Sequence, residues 1–284
     1  MRKTAARSPG PTVAPGRDAG AVAPAGRARR APNRPPQPTP ELSLPDVPVE
    51  KIPVSIGIIM DGNGRWARRL GWERIKGHTA GIDSVRETAR ECARLGVKEL
   101  TLYAFSVENW KRPRPEVEYL MKLLRRFAVD ERDEIMQNAI RFRTIGRIDE
   151  LPQETLSELR ATEELSAATE GLVLRLALSY GGRAELADAA RALARDVAAG
   201  RLRPDAVDAS SICDRLYDPS MRDVDLVIRT AGEMRISNFL LWQISYAEIY
   251  VTDVRWPEFR QDHLHAAIRA YAGRERRFGG LVAK

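Results

Sequence analysis

From residue 54 onward, short β-branched or apolar runs alternate with longer helical patterns, and that alternation admits little besides a parallel sheet clothed by helices. Strands are expected at 54–60, 99–105, 140–145, 172–179, 224–229 and 248–252. Between the first two, Ile82, Val85, Ala89 and Cys92 recur at three- and four-residue steps until Gly96, the pattern of one amphipathic helix and its stop. A second helix enters after Pro113 and Pro115 and carries Val117, Leu120, Met121, Leu124 and Phe127 along one stripe. Core packing against the sheet accounts for most of that stripe, and part of it could line a tunnel for an apolar ligand. Further helices are expected over 152–168, 183–199, 208–216 and 258–273, with no internal repeat. The fold class is therefore α/β, a single mainly parallel six-stranded sheet flanked by helices.

Charge separates this domain from what precedes it. Eight of the 46 basic residues and one of the 39 acidic residues lie in the first 40 positions, so the remainder holds 38 of each. The formal charge of +7 thus belongs wholly to that leading segment, and more than half of the 18 prolines fall before Lys51. A Pro/Ala/Arg/Gly mixture cannot bury enough surface to fold, so residues 1–50 are expected as a disordered tail or an over-long start, with residues 51–284 as the folded domain. An electrically balanced domain offers no basic face, which argues against a nucleic-acid partner. Cys92 and Cys213 stand far apart without metal or disulfide spacing, fitting a reducing cytoplasm. The three histidines, two of them at His263 and His265 on different faces of one expected helix, do not make a zinc site. No run of 18 apolar residues exists, so no membrane span is expected.

The polar clusters fall at or just beyond strand ends. The first strand runs Ile58-Ile59-Met60 into Asp61-Gly62-Asn63-Gly64-Arg65-Trp66. The carboxyl ends of strands open onto the ligand crevice of α/β sheets, and glycines let backbone N–H groups approach an anion. An acid, bare amides and an arginine suit a magnesium-bound diphosphate, since magnesium takes one or two carboxylates plus phosphate oxygens. On spacing alone an ordinary turn explains the run better; the later clusters tip the balance. After the second strand comes Ser106-Val107-Glu108-Asn109-Trp110-Lys111-Arg112, where an indole among polar groups suits a ligand with one apolar and one charged end. Gly181 and Gly182, after the fourth strand, read as a turn. After the fifth, Arg229 and Arg235 with Ser237 make an anion pocket. Glu248 opens an otherwise apolar strand and should face a metal, an arginine or a backbone donor.

Met60-Asp-Gly-Asn-Gly-Arg-Trp66, Gly77-His-Thr-Ala-Gly81, Leu102-Tyr-Ala-Phe-Ser106 through Arg112, Asp225-Leu-Val-Ile-Arg-Thr230, Arg235-Ile-Ser-Asn-Phe239 and Trp256-Pro257 together resemble the cis-prenyltransferases of the undecaprenyl diphosphate synthase type, over about Ile56 to Gly280. The resemblance implies an apolar product tunnel and a magnesium-dependent condensation of isopentenyl diphosphate with an allylic diphosphate such as farnesyl diphosphate. It implies that Asp61 binds Mg2+ and the allylic diphosphate, helped by Gly62, Asn63, Gly64, Arg65, Trp66, Arg74 and His78, and that Glu248 shares the metal. Arg229, Arg235, Ile236 and Ser237 would hold isopentenyl diphosphate, while Ser106, Val107, Glu108, Asn109, Trp110 and Arg112 would form a mobile loop over both substrates. Arg277-Phe278-Gly279 matches a segment that reaches the partner's site in dimeric relatives, which implies a homodimer. The family often has His or Gln where this chain has Met234, and a thioether is a poor ligand for a hard cation.

The resemblance gives proton removal to Asn109. A neutral amide is a weak base, so the alternative is that Asn109 orients substrate while the released diphosphate, or a group it positions, takes the proton. No DDxxD motif of the trans-acting enzymes occurs, which favours cis geometry. A noncatalytic partner subunit is the rival, and it would be expected to lose some of Asp61, Asn109, Arg229, Arg235 or Glu248, all of which are present. Small Ala104 favours a long product, of undecaprenyl length, passed to a membrane surface; close strand packing explains it as well.

Overall fold

The computed structural model describes residues 44–275; the expected tail up to residue 43 and the Arg277-Phe278-Gly279 segment lie outside it. Leu44 and Val47 are buried in the core and Asp46 pairs with Arg269 at 2.6 Å, so the folded domain includes residues that composition had assigned to the tail.

Six strands form one sheet: β1 (Ser55–Ile59), β2 (Glu99–Ser106), β3 (Arg141–Ile145), β4 (Val173–Tyr180), β5 (Leu226–Arg229) and β6 (Glu248–Val251). Their order is β3-β4-β2-β1-β5-β6 and every pairing is parallel. All six expected strands are present, within one or two residues of their expected ends. β1 is buried along its whole length because helices cover both faces of an inner parallel strand, which is why it reads as a continuous apolar run.

The helices are α1 (Asn63–Arg69), α2 (Arg74–Arg94), α3 (Arg114–Asp130), α4 (Arg132–Gln137), α5 (Gln153–Leu165), α6 (Gly182–Ala198), α7 (Ala209–Cys213) and α8 (Gln261–Ala272). The short α1 and α4 escape the sequence pattern. α1 begins inside the glycine-rich run, entered through Gly62 at φ 100°, and no side chain caps its start. Gly77 of α2 lets that helix cross α1 closely, since a Cβ there would meet the Asn63 carbonyl oxygen at 2.0 Å. Along the α3 stripe Val117, Met121 and Phe127 are buried in the core, and Leu120, Met121, Leu124 and Phe127 line a cavity.

The strand order sets where ligands can bind. From β1 the chain passes to β2 on one side, whereas from β5 it passes to β6 on the other, so the outgoing loops of the neighbours β1 and β5 diverge and leave a crevice at their carboxyl ends. At the opposite end of the sheet a charge is buried. Arg175 in β4 is 2% exposed and is neutralised by Glu99 at 2.7 Å and Asp218 at 2.7 Å. Removing one partner of such a cluster strands the remaining charges in a low-dielectric site. Arg175→Ala is therefore expected to destabilise the fold by about 3–5 kcal/mol, measured by urea denaturation; a loss within error of zero would show that water reaches the two acids.

Candidate active site

The crevice between β1 and β5 is closed by one ion pair. Asp61 follows β1, Arg229 ends β5, and the Arg229 Nη2 donates to Asp61 Oδ2 at 2.9 Å. The other oxygen of Asp61 accepts the Gly62 N–H at 2.6 Å. Gly62 is needed there twice over: its φ is 100°, and a Cβ would lie 2.8 Å from that of Ala231. Partial burial pushes the Asp61 carboxyl up, but the hydrogen bonds from Arg229 and Gly62 and the charge of Arg65 outweigh it, so the group is held below the usual carboxylate range. Asp61 is therefore an anion at neutral pH.

Arg229 is 4% exposed. Its Nη1 donates to the Arg235 carbonyl and, at 2.7 Å, to the Ser237 hydroxyl, whereas its buried Nε has no partner among the described residues. The loop that follows β5 is bent hard around this guanidinium, with positive φ at Ala231, Ser237, Asn238 and Leu240. Arg235 and Ser237 are exposed at the mouth of the crevice.

Two acids that the sequence did not single out organise the remaining cations. Glu233 accepts from Arg65 at 3.0 Å and from Arg235 at 2.5 Å, so it spaces an arginine of α1 from one of the β5 loop. Glu116 of α3 stands 3.1 Å from Arg112, 3.5 Å from Arg74 and 3.9 Å from His78. His78 is largely buried and its Nε2 has no hydrogen-bond partner among the described residues. Burial, with the charges of Arg112 and Arg74, lowers its pKa from 6.5 to about 4, so it is neutral at physiological pH.

The Ser106–Arg112 segment forms a short 3-10 turn over Val107–Lys111, capped reciprocally by Ser106 and Asn109. The Asn109 amide oxygen accepts the Ser106 N–H at 3.2 Å, and Glu108 accepts from Asn238 at 3.1 Å, tying this turn to the β5 loop. A polar cleft of about 570 Å³ is lined by Asp61, Glu108, Arg229, Arg235 and Ser237 among others. Behind it an apolar cavity of about 170 Å³ is walled by Ile82, Ala104, Leu120, Leu124, Phe127 and Leu176 among others, and opens toward Asn63 and His78. Met60, Tyr103, Asn109 and Arg112 line both.

A family model described as "Putative undecaprenyl diphosphate synthase" matches residues 59–279. The chain belongs to this family of isoprenyl transferases. An isoprenyl transferase of Streptococcus thermophilus is 48% identical over 237 residues, 82% of this chain and 95% of that protein. A trans,polycis-polyprenyl diphosphate synthase of Thermobifida fusca, named as specific for (2Z,6E)-farnesyl diphosphate, is 48% identical over 247 residues, 87% of this chain and 88% of that one. Among solved structures, lavandulyl diphosphate synthase from Lavandula x intermedia in complex with dimethylallyl diphosphate superimposes with a TM-score of 0.79 at 35% identity, covering 81% of this chain and 99% of that one.

In this cis-prenyltransferase the geometry gathers Asp61 to Arg65, Arg229, Arg235 and Ser237 at the crevice, and Arg74, His78 and Arg112 around Glu116. The Trp66 ring packs edge-on against Trp72 at 5.6 Å, and Trp66, Val107, Trp110 and Ile236 are not among the residues that line the two cavities. Glu248 does not meet Asp61 within the chain. It starts β6, in register with Leu226, whereas Asp61 lies beyond Ile59, in register with Arg229 and Val251 at the other end of the strands. Its carboxylate pairs with Arg274 instead, the arginine outcome of the three that its sequence position allowed. Among the described residues no cluster of three metal-ligating side chains occurs.

The His78 shift carries a sign. Its folded-state pKa lies below the ordinary 6.5, so the unfolded chain binds the proton first as pH falls. The corresponding stability is complete above about pH 6.5 and is lost progressively down to about pH 4. His78→Asn is expected to flatten the fall in unfolding free energy over that window, and an unchanged pH dependence in denaturant titrations would refute the assignment.

Proposed function

We propose that this isoprenyl transferase extends an allylic diphosphate of the farnesyl class by repeated cis addition of isopentenyl diphosphate, to a long polyprenyl diphosphate of undecaprenyl class. The observation that carries this is the meeting of a cationic cleft with an apolar cavity at Met60, Tyr103, Asn109 and Arg112, which matches a substrate with a charged head and a growing hydrocarbon tail. The farnesyl specificity named for the Thermobifida fusca relative and the allylic ligand named for the lavender structure support the primer class. The apolar cavity is the start of a product tunnel between α2, α3 and the sheet.

The donor set suits magnesium. Asp61 is ionised, and its bonds to Arg229 and Gly62 leave carboxylate lone pairs free for a hard cation that completes its shell with phosphate oxygens and water. A magnesium ion held by Asp61 would supply charge neutralisation at the diphosphate. Arg74, neutral His78 as a donor, Arg112 and the amides of Gly62 to Arg65 hold the allylic diphosphate. Arg229, Arg235 and Ser237, with Ile236 beside them, hold that of isopentenyl diphosphate. Positioning of the two substrates supplies orientation, and the arginines stabilise charge that develops as the allylic C–O bond breaks.

The terminal alkene carbon then bonds to the allylic carbon, and the neighbouring methylene gives up a proton. A neutral amide is a weak base, and the Asn109 oxygen accepts the Ser106 N–H, which fixes its orientation; Asn109 therefore serves to orient the substrate and the released diphosphate accepts the proton. Exposed Tyr246 and Ile249, at the edge formed by β6, favour a homodimer. No helix among the described residues is long and apolar enough to cross a membrane, consistent with a cytoplasmic enzyme that hands its product to a membrane surface.

Incubation with farnesyl diphosphate, labelled isopentenyl diphosphate and Mg2+ is expected to give products of many added units, and addition of a single unit would defeat the long-chain assignment. Ala104→Leu, which narrows the cavity wall, should shift those products to shorter chains. Asn109→Asp should lower turnover by at least about tenfold by placing a charge where a neutral amide orients the substrate; unchanged turnover and stereochemistry would remove Asn109 from the mechanism.

A further inference from the structure

A buried hydroxyl outside the residues assigned so far joins three loops. Ser179, next to last in β4, is fully buried and has φ 42°, a conformation rarely adopted by residues other than glycine, Asn or Asp. Its Oγ accepts a hydrogen bond from Trp110 Nε1 at 2.8 Å and donates one to Glu150 Oε2 at 2.5 Å. The two bonds depend on one another. A hydroxyl has one proton, and giving it to the carboxylate turns its lone pairs toward an indole that can only donate. Glu150, in the turn after β3, thus sets the direction of the contact that Ser179 makes with Trp110.

Trp110 lies in the Val107–Lys111 turn next to Asn109, and its ring meets Phe105 edge-on at 4.9 Å. Phe105 in turn lines the apolar cavity. From its other side the turn is tied by the Asn238–Glu108 bond, so it is pinned at two points across the junction of cleft and cavity. A glycine at 179 would take the positive φ without strain. The use of a strained serine instead points to its hydroxyl.

We propose that Glu150 and Ser179 are positioning residues that clamp the Trp110 indole and so hold the turn carrying Asn109 over the substrate junction. The effect on turnover rests on the prenyl-transfer function proposed above, whereas the clamp itself can be read without it. Ser179→Ala keeps the backbone demand and removes only the hydroxyl. Glu150, with its side chain 45% exposed, can be changed to Ala without opening the core. Each variant is expected to lower kcat about 3- to 10-fold, the effect of one hydrogen bond, with KM for isopentenyl diphosphate within about twofold of the parent.

In protein labelled with 5-fluorotryptophan, the 19F resonance of residue 110, assigned through Trp110→Phe, should shift in both variants. Glu150→Gln, whose amide oxygen can still accept from Ser179, should restore both readouts, and the Ser179→Ala/Glu150→Ala pair should cost no more than Ser179→Ala alone. Unchanged kcat in Ser179→Ala, or additive losses in the pair, would overturn the proposal. If the parent protein incorporates no isopentenyl diphosphate, the functional assignment fails and the resonance decides the clamp: a shift sustains it and no shift overturns it.

Discussion

The contact between Asp61 and Arg229 is the constraint on which the site depends. A guanidinium buried at the end of β5 must be neutralised and hydrogen-bonded, because an unpaired charge in that position costs several kcal/mol. Asp61 supplies the charge from β1, and the Arg235 carbonyl and Ser237 hydroxyl supply acceptors from the loop that follows β5. The two strands diverge in their connections at this place, so the pair spans the crevice and fixes its width. It also keeps the Asp61 carboxyl ionised, which makes the same residue available for a cation.

Around that pair, acids hold cations apart. Glu233 stands between Arg65 and Arg235, and Glu116 stands between Arg74 and Arg112, beside neutral His78. Without them, several positive groups facing one cleft would repel each other or turn toward solvent. Held in place, they form preorganised donors that need little rearrangement as negative charge develops. The four non-glycine residues with positive φ in the β5 loop show the backbone cost of this arrangement, of order 1–3 kcal/mol each. Such strain persists because the buried guanidinium and the Asn238 side chain, bonded to Glu108 and to the Arg183 N–H, over-determine the loop.

Much of this was legible along the chain. Asp61 and Arg229 could be placed because each ends an apolar run, and strand ends in a parallel sheet share one edge. The same rule, applied to Glu248, separates it from Asp61: it begins a strand, and strand starts lie at the other edge. Its acidic character in an apolar run had suggested a metal, and its register with Leu226 sets it away from Asp61 within the chain. Glu116 and Glu233 were not legible. An acid in the first turn of a helix, or in a polar loop, looks like any solvated charge until its partners, up to 168 residues away in the case of Arg65 and Glu233, are known. α1 was hidden by the glycines that also make it useful, since they lack both a capping side chain and an apolar period.

The sequence by itself determined the α/β class, the six strands, the long helices and the family, because hydrophobic period and ordered motifs are local properties that survive without coordinates. Tertiary structure alone decided that β1 lies between β2 and β5, that Arg175 is buried between two acids, and that Ser179 and Glu150 reach Trp110. Those facts depend on which strands become neighbours. That choice is a competition among non-local packings, and no residue spacing along the chain records its outcome.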